Sequence, residues 1–143
     1  MHNGNEKVAI AAAQAALQLK CPHRVILGTD GPAGSGVQPL GMLRMVALLS
    51  SLGNIPAELT FCFATGNTAR LRGLNCGLIE VGRDADFVFM DRAQHTAGRD
   101  LLDSVQRGDI PGVGMVMIDG LVRCGRSRNT PPATQIPSVT THA

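Results

Sequence analysis

With 143 residues and 44% hydrophobic content the chain can build one core, while its net charge of +2 comes from 13 basic and 11 acidic residues. These are scattered without a like-charged block, so no surface for nucleic acid or acidic lipid is indicated. Aromatic content is 3%, with no Trp or Tyr, which also removes the stacking platforms that hold single-stranded nucleic acid.

The chain opens with good helix formers from Asn5 to about Lys20, centred on Ala11, Ala12, Ala13, Ala15 and Ala16. Asn5 is the candidate N-cap, and Val8, Ala12, Ala15 and Leu19 are expected to share the packed face. Cys21-Pro22 ends this helix, because the residue before proline is pushed out of the α region. Val25, Ile26 and Leu27 then form a continuous apolar run, the pattern of a strand buried on both faces in a parallel sheet. It ends in Gly28-Thr29-Asp30, and a loop follows through Gly31, Pro32, Gly34, Ser35 and Gly36.

Pro39 suits a first helical turn, with Leu40, Leu43, Ala47 and Leu48 as the apolar face of a second helix that stops near Gly53. A third helix starts at Pro56 and Glu58. It runs through Leu59, Cys62 and Phe63, is interrupted at Gly66-Asn67, and has a last turn over Ala69 to Leu71 with Gly73 at C′. Beyond Asn75 the period becomes strand-like. Leu78-Ile79-Glu80-Val81 and Phe87-Val88-Phe89-Met90 read as a hairpin around Gly82-Arg83-Asp84. A helical segment at 100–106 precedes a second hairpin, 113–118 with 121–124, around Asp119-Gly120. That dipeptide is the preferred one where both turn residues need positive φ. From Thr130 onward Pro131, Pro132, Pro137 and the Thr/Ser-rich end are expected to lack structure.

Among the acids, Asp30 is the one at a strand's carboxyl end, where α/β folds place their ligand sites. An Asp there can ligate a divalent metal and accept a proton from bound water. It can equally cap the loop by accepting backbone N–H bonds. Asp84, Asp86 and Asp91 flank a hairpin, where turn chemistry and solvation explain them. His2, His23, His95 and His142 share no close spacing that would present two of them to one ion. Cys21, Cys62, Cys76 and Cys124 form no C-x-x-C pair, so buried free thiols are expected rather than a zinc or redox site. Gly34-Ser35-Gly36 lacks the G-x-S-x-G elbow of a serine nucleophile. No leader-like segment opens the sequence, and the apolar stretch at Met45 to Leu49 is far shorter than the roughly 20 residues that cross a bilayer. A cytoplasmic location without membrane contact is the default expectation.

Taken in order, Gly28-Thr29-Asp30-Gly31-Pro32, Ala64-Thr65-Gly66-Asn67-Thr68-Ala69 and Gly77-Leu78-Ile79-Glu80-Val81-Gly82-Arg83-Asp84-Ala85-Asp86-Phe87-Val88 resemble the C-terminal third of the amidohydrolase superfamily. The segments at 4–9, 108–112 and 127–133 resemble its enamidase branch. The resemblance implies an α/β fold: the last strand and helices of a (β/α)8 TIM-like barrel, followed by strands of a small β-sandwich. Its divisions would be 1–75 for the barrel segment, 76–128 for the sandwich strands and 129–143 for a disordered tail.

By the same resemblance Val25 to Gly28 is the eighth barrel strand, and Asp30 is both metal ligand and proton shuttle for a metal-bound hydroxide. The substrate implied is a cyclic amide cut at a non-peptide C–N bond. From the loop's own composition Gly34 and Ser35 are candidate substrate-loop residues, with a plain connecting loop as the alternative. The cofactor implied for the complete enzyme is a divalent metal, zinc first, with iron or manganese as alternatives, and none is expected in this chain alone. The histidine pair that usually begins such a site is not in this sequence. Two readings follow: an enzyme segment, either truncated or completed by another polypeptide, with a homo-oligomer or a complementing N-terminal chain as alternative partners, or a non-catalytic remnant or interaction module. Because a barrel's eighth strand normally pairs on both sides, its exposed backbone groups favour association. The isolated chain is therefore expected to self-associate or to be partly ordered. Light scattering together with amide exchange checks this, and a monodisperse monomer with full protection at Val25 to Leu27 would contradict it.

Overall fold

The computed structural model describes residues 5–31 and 36–140. Helix α1 spans Glu6–Gln18, and the Asn5 side chain accepts from the backbone N–H of Val8 at 3.1 Å. The cap and boundaries agree with the sequence reading, but the packed face does not. Ala9 and Ala13 are buried, with Ile10, Ala16 and Leu17 beside them. Val8 and Leu19 are 60% and 75% exposed. An Ala-rich helix offers several stripes of similar apolarity, and the smallest face wins because it lets α1 approach its neighbours closely.

A 3-10 turn at Pro22–Arg24 leads to an extended segment whose Val25 and Leu27 are buried while Ile26 is half-buried. This segment belongs to no β-ladder among the described residues, so the expected parallel strand is present as extended backbone outside the sheet. Helix α2, Gly41–Ser51, begins two residues later than Pro39 suggested. Its N-cap Leu40 has φ of 58°, a left-handed conformation that strains a branched side chain. Met45, Val46, Ala47 and Leu49 of α2 are buried, so its inner face is centred near Val46, with Leu43 and Leu48 at the margins.

Helix α3, Ala57–Ala64, and helix α4, Gly66–Arg72, are separated by a single break at Thr65. Gly73 closes α4 with φ of 66°, as a C-terminal glycine should. The core gathers Ala9, Ala13, Val25, Leu27, Met45, Val46, Leu49, Ile55, Phe63 and Val105. Val105 comes from α5, Leu101–Gln106, which lies late in the sequence yet packs on α2 and α3. The Ser50 hydroxyl donates to the Ile55 carbonyl at 3.0 Å, and the Gln106 amide donates to the Ser50 carbonyl at 2.7 Å, so the polar groups under α5 are satisfied.

The sheet has three antiparallel strands in the order β1-β2-β3: Phe87–Asp91, Gly112–Ile118 and Leu121–Cys124. The β2–β3 hairpin matches the sequence, with φ of 52° at Asp119 and 73° at Gly120. The first expected hairpin is corrected. Residues 78–81 are no strand, and β1 pairs instead with β2, Phe87 opposite Met117. Gly77 and Gly82, with φ of 78° and 90°, turn the backbone out of extended geometry on both sides of Leu78 to Val81.

The segment expected to be a disordered tail is likewise paired over part of its length. Gln94 N–H donates to the Pro132 carbonyl at 2.8 Å, Thr134 N–H donates to the Arg92 carbonyl at 3.0 Å, and Ala133 is buried. Gly112 and Gly114 make room for it. A Cβ on Gly112 would lie against the Ala133 backbone, and one on Gly114 would meet Pro137 Cδ at 2.9 Å. The thiols also differ from expectation: all four are free, but Cys62 is exposed and the others only half-buried.

The inner face of α1 is testable by overpacking. Ala13→Val, at a fully buried site, is expected to destabilise by about 1–3 kcal/mol. Ala12→Val, at an exposed site, should stay within about 0.5 kcal/mol, and urea midpoints report both. Asp103 supplies a pH test. Its carboxylate accepts from Arg99 N–H at 2.9 Å and pairs with the Arg107 and Arg99 guanidiniums at 3.3 Å. These contacts, the Arg99 backbone bond foremost, together hold it below the ordinary carboxylate range against the opposing effect of desolvation. Its stabilisation is therefore complete above the unfolded value of about 3.9 and lost as pH falls through the lower folded value. Asp103→Asn should flatten that part of the melting temperature against pH curve.

Candidate functional site

Asp30 lies three residues beyond Leu27, at the end of the extended segment. Its backbone has φ of 50°, in the left-handed region that Asp tolerates better than most residues, and its side chain is exposed. Gly31 continues the chain, and a Cβ there would make ordinary contact with Gly36 O at 3.7 Å and Thr29 Oγ1 at 3.8 Å. Gly34 and Ser35, the expected substrate-loop residues, lie outside the described residues.

What fixes this segment comes from the break between α3 and α4. The carbonyl of Phe63, in the last turn of α3, accepts from Leu27 N–H at 3.2 Å and from the Thr68 hydroxyl at 2.9 Å. Asn67, buried near the start of α4, donates from Nδ2 to the Val25 carbonyl at 2.8 Å and to the Pro22 carbonyl at 2.9 Å. Each such bond contributes roughly 0.5–1.5 kcal/mol net, whereas leaving a buried carbonyl unpaired costs about 1–3. Gly66 sits where a Cβ would press on Leu78 Cδ2 at 2.9 Å, and one on Gly77 would meet Ala69 Cβ at 2.7 Å. The second and third motifs are thus packed on one another. Asn67 was read from sequence as a helix interruption, and its clamp on residues 22–25 is invisible at that range.

The other acids do structural work, as their positions suggested. Asp84 accepts from the Asn75 amide at 3.0 Å, Asp86 accepts from Asp119 N–H at 3.0 Å, and Asp91 accepts from Gln135 N–H at 2.9 Å. His23 and His95 are exposed and distant in sequence, and His2 and His142 lie outside the described residues. No group of three or more His, Cys, Asp or Glu side chains able to hold a metal exists among the described residues. A protein metal site generally needs about three such ligands. Asp30 alone does not meet that need, so the described residues do not by themselves fit a metal centre.

An apolar groove of about 480 Å3 separates the helical layer from the sheet, lined by Met42, Leu43, Phe61, Leu78, Phe87 and Val88 among others. Asp30 does not line it. No helix among the described residues is long and apolar enough to cross a membrane.

Comparison with known proteins places this geometry. The chain is 42% identical over 130 residues to enamidase of Eubacterium barkeri, a match that covers 91% of this chain and 34% of the relative. It is 33% identical over 98 residues to 5'-deoxyadenosine deaminase of Methanosphaera stadtmanae, covering 63% of this chain and 23% of that one. It is 35% identical, with the same coverages, to 5-methylthioadenosine/S-adenosylhomocysteine deaminase of Thermococcus onnurineus. The crystal structure of an enamidase superposes with a TM-score of 0.90 at 40% identity, over 92% of this chain and 34% of that one. The chain therefore spans about a third or less of the length of these relatives. The family generally uses a divalent metal. The amidohydrolase family profile matches residues 3–122, and with this extent of likeness the chain belongs to the amidohydrolase family.

Proposed function

We propose that the chain is the C-terminal segment of a metal-dependent, enamidase-like hydrolase that opens cyclic amides at a non-peptide C–N bond. The observation that carries this reading is the 42% identity to enamidase across 91% of the chain. The deaminase names of the two shorter matches agree with it in bond type, because hydrolytic deamination also breaks a C–N bond with water. In this reading residues 25–28 are the eighth strand of a barrel, and the strands from β1 onward belong to a β-sandwich beside it.

Asp30 is the proton carrier. Its carboxylate takes a proton from the attacking water as the new C–O bond forms, then gives it to the amide nitrogen as the C–N bond breaks. A carboxylic acid and an amine result, the acid then losing its remaining proton to solvent or to the amine, and Asp30 returns to its starting state. Its exposure supports the role, since a proton carrier has to reach both water and substrate. Gly34 and Ser35 are assigned to the substrate loop. The metal, with zinc, iron or manganese as the candidates, is assigned to the complete protein, where ligands from outside this chain would join Asp30.

A second reading is favoured by one observation, the lack of any three-donor cluster among the described residues: the chain is a non-catalytic remnant or interaction module. Stoichiometric metal bound by the isolated 143-residue protein would count against that module. The hydrolase reading is tested with the chain joined to, or mixed with, the missing barrel portion of an enamidase. Ring opening of a cyclic amide, followed by liquid chromatography, should appear. Asp30→Asn should lower kcat by about 10²–10⁴-fold with little change in KM. Full activity of Asp30→Asn would overturn the role given to this residue.

A further inference from the structure

The reading of Asp30 as proton carrier requires its carboxyl to be held in place, and the structure carries a device for this that is remote in sequence. We propose that Asn67 is the positioning residue of the Asp30 segment, acting through the carbonyls of Pro22 and Val25. The inference rests on the proposed role of Asp30 for its functional meaning, and on geometry alone for its physical content.

Asn67 is 8% exposed, and its Nδ2 makes two hydrogen bonds, at 2.9 Å to Pro22 O and 2.8 Å to Val25 O. Both partners are carbonyls, so the orientation of the amide is decided by chemistry: nitrogen must face them. The two acceptors bracket the 3-10 turn at Pro22–Arg24, from which the extended segment departs. One bond would leave that turn free to swivel, whereas two bonds to points three residues apart fix its direction. Leu27 N–H on Phe63 O, at 3.2 Å, then sets the segment's far end against α3. Asp30 follows three residues on, so an error in the direction of residues 22–27 is passed to its carboxyl.

The donor requirement is narrow. A hydroxyl has one hydrogen to give, and an ionised carboxylate has none. Asn67→Asp keeps the shape while placing an anionic oxygen, where Nδ2 stood, against both carbonyl oxygens, and Asn67→Ala removes the donor without adding charge. In the 143-residue protein near neutral pH, amide exchange at Val25, Ile26 and Leu27 should accelerate at least about tenfold in both variants, while amides of Leu49 and Val105 keep their protection.

Lowering the pH protonates the introduced carboxyl and restores one donor, so Asn67→Asp should recover part of its protection after correction for intrinsic exchange. Asn67→Ala should recover none, a signature that a general loss of packing would not produce. Parental exchange rates at residues 25–27 in both variants would overturn the proposal. So would acceleration spread evenly through Leu49 and Val105, or equal pH responses of the two variants. In the completed hydrolase Asn67→Asp should lower kcat with KM retained. A parent without activity would overturn the hydrolase reading, and the exchange data would still decide the role of Asn67.

Discussion

The helix break at Thr65 is the constraint on which the rest of this structure depends. A continuous helix from Ala57 to Arg72 would direct its carbonyls along its own axis and leave none for a neighbour. Interrupted after Ala64, it presents the Phe63 carbonyl to Leu27 and Thr68 and brings the Asn67 amide to face residues 22–25. An extended segment without ladder partners among the described residues is thereby held by side-chain and main-chain bonds in place of a sheet. Val25 and Leu27 add buried apolar surface to the same arrangement.

The close approaches around this break show how the helical layer and the sheet become one unit. Gly66 and Gly77 lack the side chains that would push α4 away from residues 77–78. From there the chain turns through Asp84, which bonds Asn75, and Asp86, which bonds the β2–β3 turn at Asp119. Polar residues that look like solvated hairpin decoration in sequence are the ties between the end of α4 and the sheet. Helix α5 closes the assembly from the opposite direction in sequence, placing Val105 between α2 and α3.

The legible parts of the fold were those set by local chemistry. Asn5 as a cap, Gly73 at a helix end and Asp119-Gly120 in a hairpin each need only their own few residues, and each is where the sequence places it. The errors fall where distant partners decide. Leu78 to Val81 has a strand-like composition, yet β1 takes its partner from β2 after α5 has intervened, a choice that no short window contains. The Pro- and Thr-rich end reads as unstructured because composition cannot show the slots at Gly112 and Gly114 that receive it. The same division applies at the site. Asp30 stands out as an acid closing an apolar run, while its support by Asn67 comes from 42 residues away from Val25.

The seating of Ala133 against Gly112 has a consequence for synthesis. A ribosome releases β2 before it has made the residues that pair with Arg92 and Gln94 and cover Gly112. During that interval the sheet is built but one of its faces is bare, and contacts between residues so far apart form late because loop closure must precede them. Residues 132–137 thus act as a clasp, and any nascent chain stalled before them carries a sheet without its cover.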